Sequence, residues 1–312
     1  MKSLADRVKL AILSSSFLRY HCRFDIADAA AGLKIPVIDG QGLGNLTGHE
    51  PIVERMVARL LDLRAGCFVD VGANFGQTLL KVARHDRRRA YVGFEVQPLC
   101  LHYLDQLISI NRLDTFKILP IGLSDADRFA TMTSEHPGDP RATTVQGFWP
   151  PDWQPHARLV PLRVGDAVIE ELGLDDVGIL KVDVEGAEAD VLDGLERTVR
   201  RHRPYVLIEI LPYTVDPIGR DGPVAAGIRD RRTAAVERLL RQNRNRGYRS
   251  FRMMPDAGLL ETADYDVPYH PDNCNYLFVP EERVGEVTGN GESAPGVDMG
   301  RGLVQPVGSR SD

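Results

Sequence analysis

Four acidic residues stand at the ends of four apolar runs: Asp70 in CFVDV, Glu95 in YVGFEV, Asp125 just past FKILPIGL, and Asp183 in GILKVDV. In parallel α/β sheets, ligands bind outside the carboxyl ends of the strands, so these acids could meet one ligand laid across a sheet. Gly72, Ala73, Asn74, Phe75 and Gly76 follow the first acid. Small residues in such a turn let backbone N–H groups come close to a ligand, and Gln77 opens a helix whose first N–H donors are unpaired. Glu95 lies about 20 residues beyond this turn, the place of an acid that accepts hydrogen bonds from ribose hydroxyls. Ser124 and Asp125 close the third run, where an adenine amino group could donate. Asp183 falls beside the reactive end of the ligand.

Two nucleotide-type cofactors fit this pattern. A dinucleotide needs a pyrophosphate cradle, usually G-x-G-x-x-G. The turn here lacks that spacing, and an acid immediately before it would repel phosphate. S-adenosylmethionine carries an ammonium and a sulfonium and no phosphate, so it suits Asp70 better. The candidate cofactor residues are Asp70, Gly72, Ala73, Asn74, Gly76, Gln77, Glu95, Ser124 and Asp125.

The elements that must position these residues follow from periodicity. Residues 51–64 (PIVERMVARLLDLR) place Ile52, Val53, Met56, Leu60 and Leu63 on one helical face, with Pro51 suited to the first turn. Strands and helices then alternate, the signature of parallel crossovers. The expected strands are 67–71, 91–96, 116–123, 178–186, 205–210, 248–253 and 274–280. Residues 126–165, rich in Pro, Thr, Trp and His, break this rhythm and read as a lid insertion or a surface hairpin. Residues 1–50 read as a helical extension, 51–280 as the main domain and 281–312 as a disordered tail.

Composition narrows the function. The chain has 312 residues, with 38 Lys plus Arg against 44 Asp plus Glu, a net charge of −6. This balance does not suggest a nucleic-acid partner. The N-terminal apolar run is short and interrupted by Ser14, Ser15 and Ser16, which argues against a signal peptide, and no stretch has the length of a membrane span. Cys22, Cys67, Cys100 and Cys274 are far apart, without metal-ligand spacing, and read as free thiols of a cytoplasmic protein.

DVGANFGQ (70–77), the acid Glu95, IGLSD (121–125) and LKVDVEGAE (180–188) occur in that order, followed by IEI (208–210) and NYLFVP (275–280). Together they resemble the FkbM family of S-adenosylmethionine-dependent methyltransferases, over about Ile52 to Pro280. The resemblance implies a Rossmann-like class I methyltransferase fold, α/β, with a seven-stranded, mostly parallel sheet, helices on both faces and an antiparallel last strand. It also implies O-methylation, commonly of sugar hydroxyls on glycolipids, polysaccharides or natural products. Asn74 is usual in this family. Val96 and Gln97, however, intervene between Glu95 and Pro98 where the family commonly has proline next.

A hydroxyl acceptor must lose a proton, so a base is expected near the transferred methyl. Asp183 and Glu185 are the catalytic candidates, and fall on one side if the strand persists that far. Glu188 is read as capping the Gly186 turn or joining the site, and Glu209 as packing or meeting substrate. An acid-held divalent cation is not favoured, since no histidine spacing supports it. His136 and His156 are alternative bases or solvated loop residues. Trp149 and Trp153 could stack on a sugar or pack the insertion. The arginines between Arg229 and Arg252 meet an anionic surface or form a solvated face. A non-catalytic module and an NAD-dependent oxidoreductase remain the alternatives in function.

Overall fold

A computed structural model describes residues 23–28, 32–38, 40–47, 50–150, 155–211, 223–254, 258–262 and 274–288. The chain begins with two antiparallel strands, β1 (Arg23–Asp28) and β2 (Leu33–Ile38). The helical extension expected over 1–50 is thus corrected at 23–38. Leu33, Ile35 and Val37 recur every second residue and are fully buried, a strand period. Residues 1–22 lie outside the described residues.

Helix α1 (Pro51–Leu63) leads into β3 (Cys67–Val71), α2 (Gln77–His85), β4 (Tyr91–Phe94), α3 (Pro98–Asn111) and β5 (Phe116–Leu119). After the insertion come α4 (Gly165–Glu171), β9 (Val177–Val182), α5 (Glu188–Gly194), α6 (Glu196–His202) and β10 (Tyr205–Glu209). Helix α7 (Pro223–Asn245), β11 (Tyr248–Met253), β12 (Leu259–Glu261), β13 (Asn275–Pro280) and α8 (Val284–Thr288) complete the described chain. The main sheet has the order β12-β11-β13-β10-β9-β3-β4-β5. The five strands from β10 to β5 are parallel, and β13 runs antiparallel to both neighbours. All seven expected strands are present, and the short edge strand β12 makes an eighth. Every residue of β3 is buried, as a central strand covered on both faces requires. One apolar cluster holds Phe68, Leu79 and Leu104, and another holds Val69, Leu192 and Leu239.

The third expected strand, 116–123, is corrected to two. Pro120 lacks a backbone donor and breaks it. Gly122–Ser124 (β6) leaves the main sheet to pair with β8 (His156–Val164), which also pairs with β7 (Arg128–Ser134). The insertion is therefore a small three-stranded sheet with one face, Met132, Val160 and Leu162, buried against Val96 and Ala142.

The expected tail is docked at its start. Arg203 pairs with Glu282 through two bonds of 2.8 and 2.7 Å, the Tyr205 hydroxyl donates to Glu286 at 2.6 Å, and Val287 is buried. Residues 289–312 lie outside the described residues. No helix among the described residues is long and apolar enough to cross a membrane.

Candidate active site

Strand order reverses around β3: the chain runs outward to β4 and β5, then returns to β9 on the other side. Crevices form at such switch points. Here the carboxyl ends of β3, β4, β9 and β10 border a cavity of about 440 Å³, a size suited to a small-molecule ligand.

Its floor is the turn after β3. Gly72 has φ +86°, and a Cβ there would lie 1.9 Å from the Asp183 carbonyl oxygen. Only glycine allows these two backbones to approach so closely. Asn74, at φ +46°, holds the turn by accepting the Phe75 N–H on its own Oδ1 at 2.7 Å, a use of asparagine that offsets left-handed strain. Gly72, Ala73, Asn74 and Gln77 line the cavity. Gly76 faces away, toward Leu104 and Leu107 of α3.

Glu95 lines the wall beyond β4. Its Oε1 accepts the N–H groups of Val96 (2.8 Å) and Gln97 (2.7 Å), and its Oε2 accepts that of Asn74 (2.8 Å). Burial raises the carboxyl above its ordinary range, against the pull of these three donors. With two donors already on Oε1, one acceptor position remains, on Oε2. The expectation of two ribose hydroxyls narrows to one. Replacing Glu95 with glutamine turns an acceptor into a donor facing backbone N–H groups. Cofactor affinity is expected to fall at least about tenfold, as much as in Glu95→Ala. Calorimetry with S-adenosylhomocysteine checks this, and wild-type affinity in the glutamine variant would remove Glu95 from the ribose.

Asp70 lies beneath the cavity, fully buried and off its lining. It accepts the Tyr91 hydroxyl, and Lys181, its partner in the β3–β9 register, stands 3.6 Å from its Oδ1. Its charge is answered within the protein, so it does not meet a cationic ligand directly. Lys181 also donates to Asp183 Oδ2 at 2.9 Å and to the Gly72 carbonyl at 3.4 Å. Burial disfavours the ammonium, but Asp183 and Asp70 outweigh it and hold its pKa above the ordinary value. Sequence reasoning passed over Lys181. A lysine inside the buried run ILKV was the available signal.

Asp183 and Glu185 both line the cavity, although β9 ends at Val182 and strand alternation does not reach them. Glu185 stands instead in the left-handed region at φ +56°. Its Oε2 is buried without a hydrogen-bond partner among the described residues, and burial, then Asp183 and Glu188, hold its carboxyl well above the usual range. Glu209, at the end of β10, also lines the cavity, and the Asp183 charge and burial push its carboxyl up to about 10. Glu188 accepts the N–H groups of Gly186 (2.9 Å) and Val184 (3.4 Å), and burial pushes it up to about 7.

Ser124 and Asp125 do not line the cavity. The break at Pro120 carries Asp125 outward to Arg128, which it meets at 2.9 Å and which pulls its carboxyl down. Ile121, Gly122 and Leu123 line the wall instead. His136 and His156 are exposed and off the lining, and Trp153 lies outside the described residues. Among the described residues no group of three His, Cys, Asp or Glu could hold a metal ion. Cys67, Cys100 and Cys274 are buried free thiols, and Cys22 is outside the described residues. Two α7 arginines make internal contacts: Arg238 pairs with Asp190 at 2.6 Å and with Asp193, and Arg231 donates to the Gly147 carbonyl at 2.9 Å, while Arg241 is exposed.

Residues 70–250, more than half of the chain, match the family model described as the methyltransferase FkbM domain. The chain belongs to the FkbM methyltransferase family. The FkbM domain makes this a methyltransferase dependent on S-adenosylmethionine. Its structure is similar to that of methyltransferase FkbM from Methylobacillus flagellatus KT, with 17% identity and a TM-score of 0.42, covering 69% of this chain. The matched region is 43% of that protein, so this chain spans less than half of its length. A putative caffeoyl-CoA O-methyltransferase from Staphylococcus aureus matches at 10% identity and TM-score 0.44, covering 76% of this chain and 88% of that one. An O-methyltransferase from Bacillus cereus in complex with SAH matches at 9% and 0.39, covering 76% and 86%. No curated protein matches the chain.

The residues of the FkbM site fit the cofactor. The cavity's two basic side chains, Lys181 and Arg141, already pair with acids, Lys181 with Asp70 and Asp183, and Arg141 with Glu135 and Asp139. Neither is left for a pyrophosphate. The glycine cradle, the remaining acceptor position on Glu95 and the carboxyl groups toward β9 suit a phosphate-free ligand with a cationic end.

Proposed function

We propose that this FkbM enzyme O-methylates a neutral hydroxyl of a polyhydroxy acceptor, such as a sugar in a glycolipid, polysaccharide or natural product. The observation that carries this reading is the carboxyl-lined end of the cavity, formed by Asp183, Glu185 and Glu209. Such a wall hydrogen-bonds neutral hydroxyls, and its lysine already answers Asp70 and Asp183 rather than a carboxylate or phosphate acceptor. Gly72, Ala73, Asn74 and Gln77 would hold the methionine portion of the cofactor, Glu95 the ribose, and Ile121 and Leu123 the adenine. When bound, S-adenosylmethionine supplies an activated methyl group. The protein's remaining work is to align the acceptor oxygen and remove its proton. Asp183 takes that proton, Lys181 fixes its orientation, and Glu185 bonds a neighbouring hydroxyl. The catalytic unit is residues 51–280, including the small sheet, and the buried thiols support a cytoplasmic setting.

The test is calorimetry with S-adenosylmethionine, S-adenosylhomocysteine and NAD, followed by transfer of labelled methyl to a panel of neutral sugars, sugar phosphates and carboxylic acids. Binding of the first two ligands with labelling of neutral sugars is expected. Labelling only of carboxylates or phosphates would overturn the acceptor assignment, and binding of NAD alone would overturn the cofactor.

Cofactor affinity is expected to depend on pH. Burial raises the Glu185 carboxyl well above its ordinary range in the free protein, and the Asp183 charge and burial push that of Glu209 up to about 10. A cation beside them favours the ionised forms, so binding releases protons and tightens as pH rises. S-adenosylhomocysteine, which keeps the ammonium, should show a Kd roughly three- to tenfold lower at pH 8 than at pH 6. Calorimetry in two buffers of different ionisation enthalpy counts the protons. A flat profile would mean that these acids do not face the ligand's cation.

A further inference from the structure

The segment of the insertion between β7 and β8 crosses the cavity wall, where Pro140, Arg141, Ala142 and Thr144 contribute to the lining. Gln97 ties its near end, accepting the Gly138 N–H at 3.1 Å and donating to the Asp139 carbonyl at 3.0 Å. Thr143 ties its middle by donating to the Glu185 carbonyl at 2.7 Å. At the far end, the ring of Phe148 lies on Gly186, where a Cβ would come within 2.3 Å of it. From behind, Arg232 of α7 donates Nε (3.2 Å) and Nη2 (2.8 Å) to the Phe148 carbonyl. Its guanidinium also stands over both rings, 4.4 Å from the centre of Phe148 and 4.5 Å from that of Trp149.

Arg232 is only 5% exposed. Burying a guanidinium is costly, and its place over two aromatic rings with two bonds to a carbonyl offsets that cost. Across the Phe148 ring lies a turn that needs support. Glu185 (φ +56°) and Gly186 (φ +102°) are successive left-handed residues. The first is strained for a residue with a side chain, and such backbone persists only where its surroundings over-determine it. Thr143 and Phe148 are two of those surroundings, and both belong to the segment that Arg232 clamps.

We propose that Arg232 is a positioning residue for the acceptor side of the cavity: by pressing Phe148 onto Gly186 it keeps the Glu185–Gly186 turn left-handed and Glu185 aimed into the cavity. The insertion is then a fixed wall rather than a lid. This inference rests on the cavity being the methyl-transfer site, but the clamp is measurable without turnover.

The experiment compares hydrogen exchange of wild type, Arg232→Ala, Arg232→Lys and Phe148→Leu, with S-adenosylhomocysteine calorimetry on each. In Arg232→Ala, exchange is expected to rise about tenfold at 143–149 and equally at 183–187, with exchange over β3 and α2 and ligand affinity within about threefold of wild type. Arg232→Lys keeps a cation over the rings and should restore much of the protection at 183–187. Phe148→Leu leaves Arg232 in place yet removes the ring from Gly186, and should open 183–187 as Arg232→Ala does. It also serves if Arg232→Ala does not fold. Opening of 143–149 with 183–187 unchanged, or no recovery in Arg232→Lys, would overturn the proposal. Failure of wild type to bind S-adenosylhomocysteine would instead defeat the cofactor reading, leaving the exchange result to stand or fall by itself.

Discussion

Replacing Gly72 with alanine is expected to raise the Kd for S-adenosylhomocysteine at least about a hundredfold, equivalent to roughly 2.7 kcal/mol. The new Cβ would sit 1.9 Å from the carbonyl oxygen of Asp183. That oxygen is backbone, and its peptide is held on both sides: the Asp183 N–H is bonded to the Val71 carbonyl at 3.0 Å and the Val184 N–H to Glu188 Oε1 at 3.4 Å. Strands β3 and β9 would have to part at their carboxyl ends, where the cavity floor is built. The φ of +86° adds strain at the same residue. Gly76→Ala is the comparison. Its Cβ meets only the side-chain ends of Leu104 and Leu107, at 2.9 and 2.8 Å, which can give. That variant should lose about 1–2 kcal/mol of stability, mainly from its positive φ, and bind ligand within about tenfold of wild type. Thermal melts and calorimetry on the two proteins check the ranking. Binding by Gly72→Ala within threefold of wild type would mean that the two strand ends are not held together as the fold implies.

This contrast also shows which parts of the molecule were legible in the sequence. The strands of the main sheet were, because a strand buried on both faces reads as a continuous apolar run between turns. β12 was not, since three residues at a sheet edge carry no period. The β7–β8 pair was obscured because Phe129 and Leu159 are exposed while Met132 and Val160 are buried, which blurs the alternation. The cofactor turn was readable locally, as were the acids at the strand ends. The failures are long-range. Lys181 faces Asp70 through strand register, across 111 residues of sequence. Arg232 reaches Phe148 from another helix, 84 residues away. Asp125 leaves the cavity because one proline ends pairing with the main sheet. In each case the side chain's type was visible and its partner was not.

The same cross-strand geometry sets the expectation for catalysis. Asp183 follows β9 and Glu209 ends the neighbouring parallel strand β10, where the Asp183 charge and burial push the Glu209 carboxyl up to about 10. The Glu209 carboxyl therefore keeps its proton around neutral pH. Lys181 donates to Asp183 Oδ2 at 2.9 Å. On the proposed mechanism, Asp183 accepts the proton of the acceptor hydroxyl. With an acceptor from the sugar panel, Asp183→Asn is expected to lower turnover at least about a hundredfold, the scale of a lost general base. Affinity for S-adenosylhomocysteine should stay within a few fold. Glu209→Gln replaces a protonated carboxyl by a neutral amide of the same shape, and is expected to keep turnover within about threefold. Glu209→Ala empties the position beside Asp183 and should fall between the two. Initial rates with labelled cofactor separate these cases. If Glu209→Gln costs as much as Asp183→Asn, the charge resides on Glu209, and the base is the residue on β10 rather than the one that Lys181 holds.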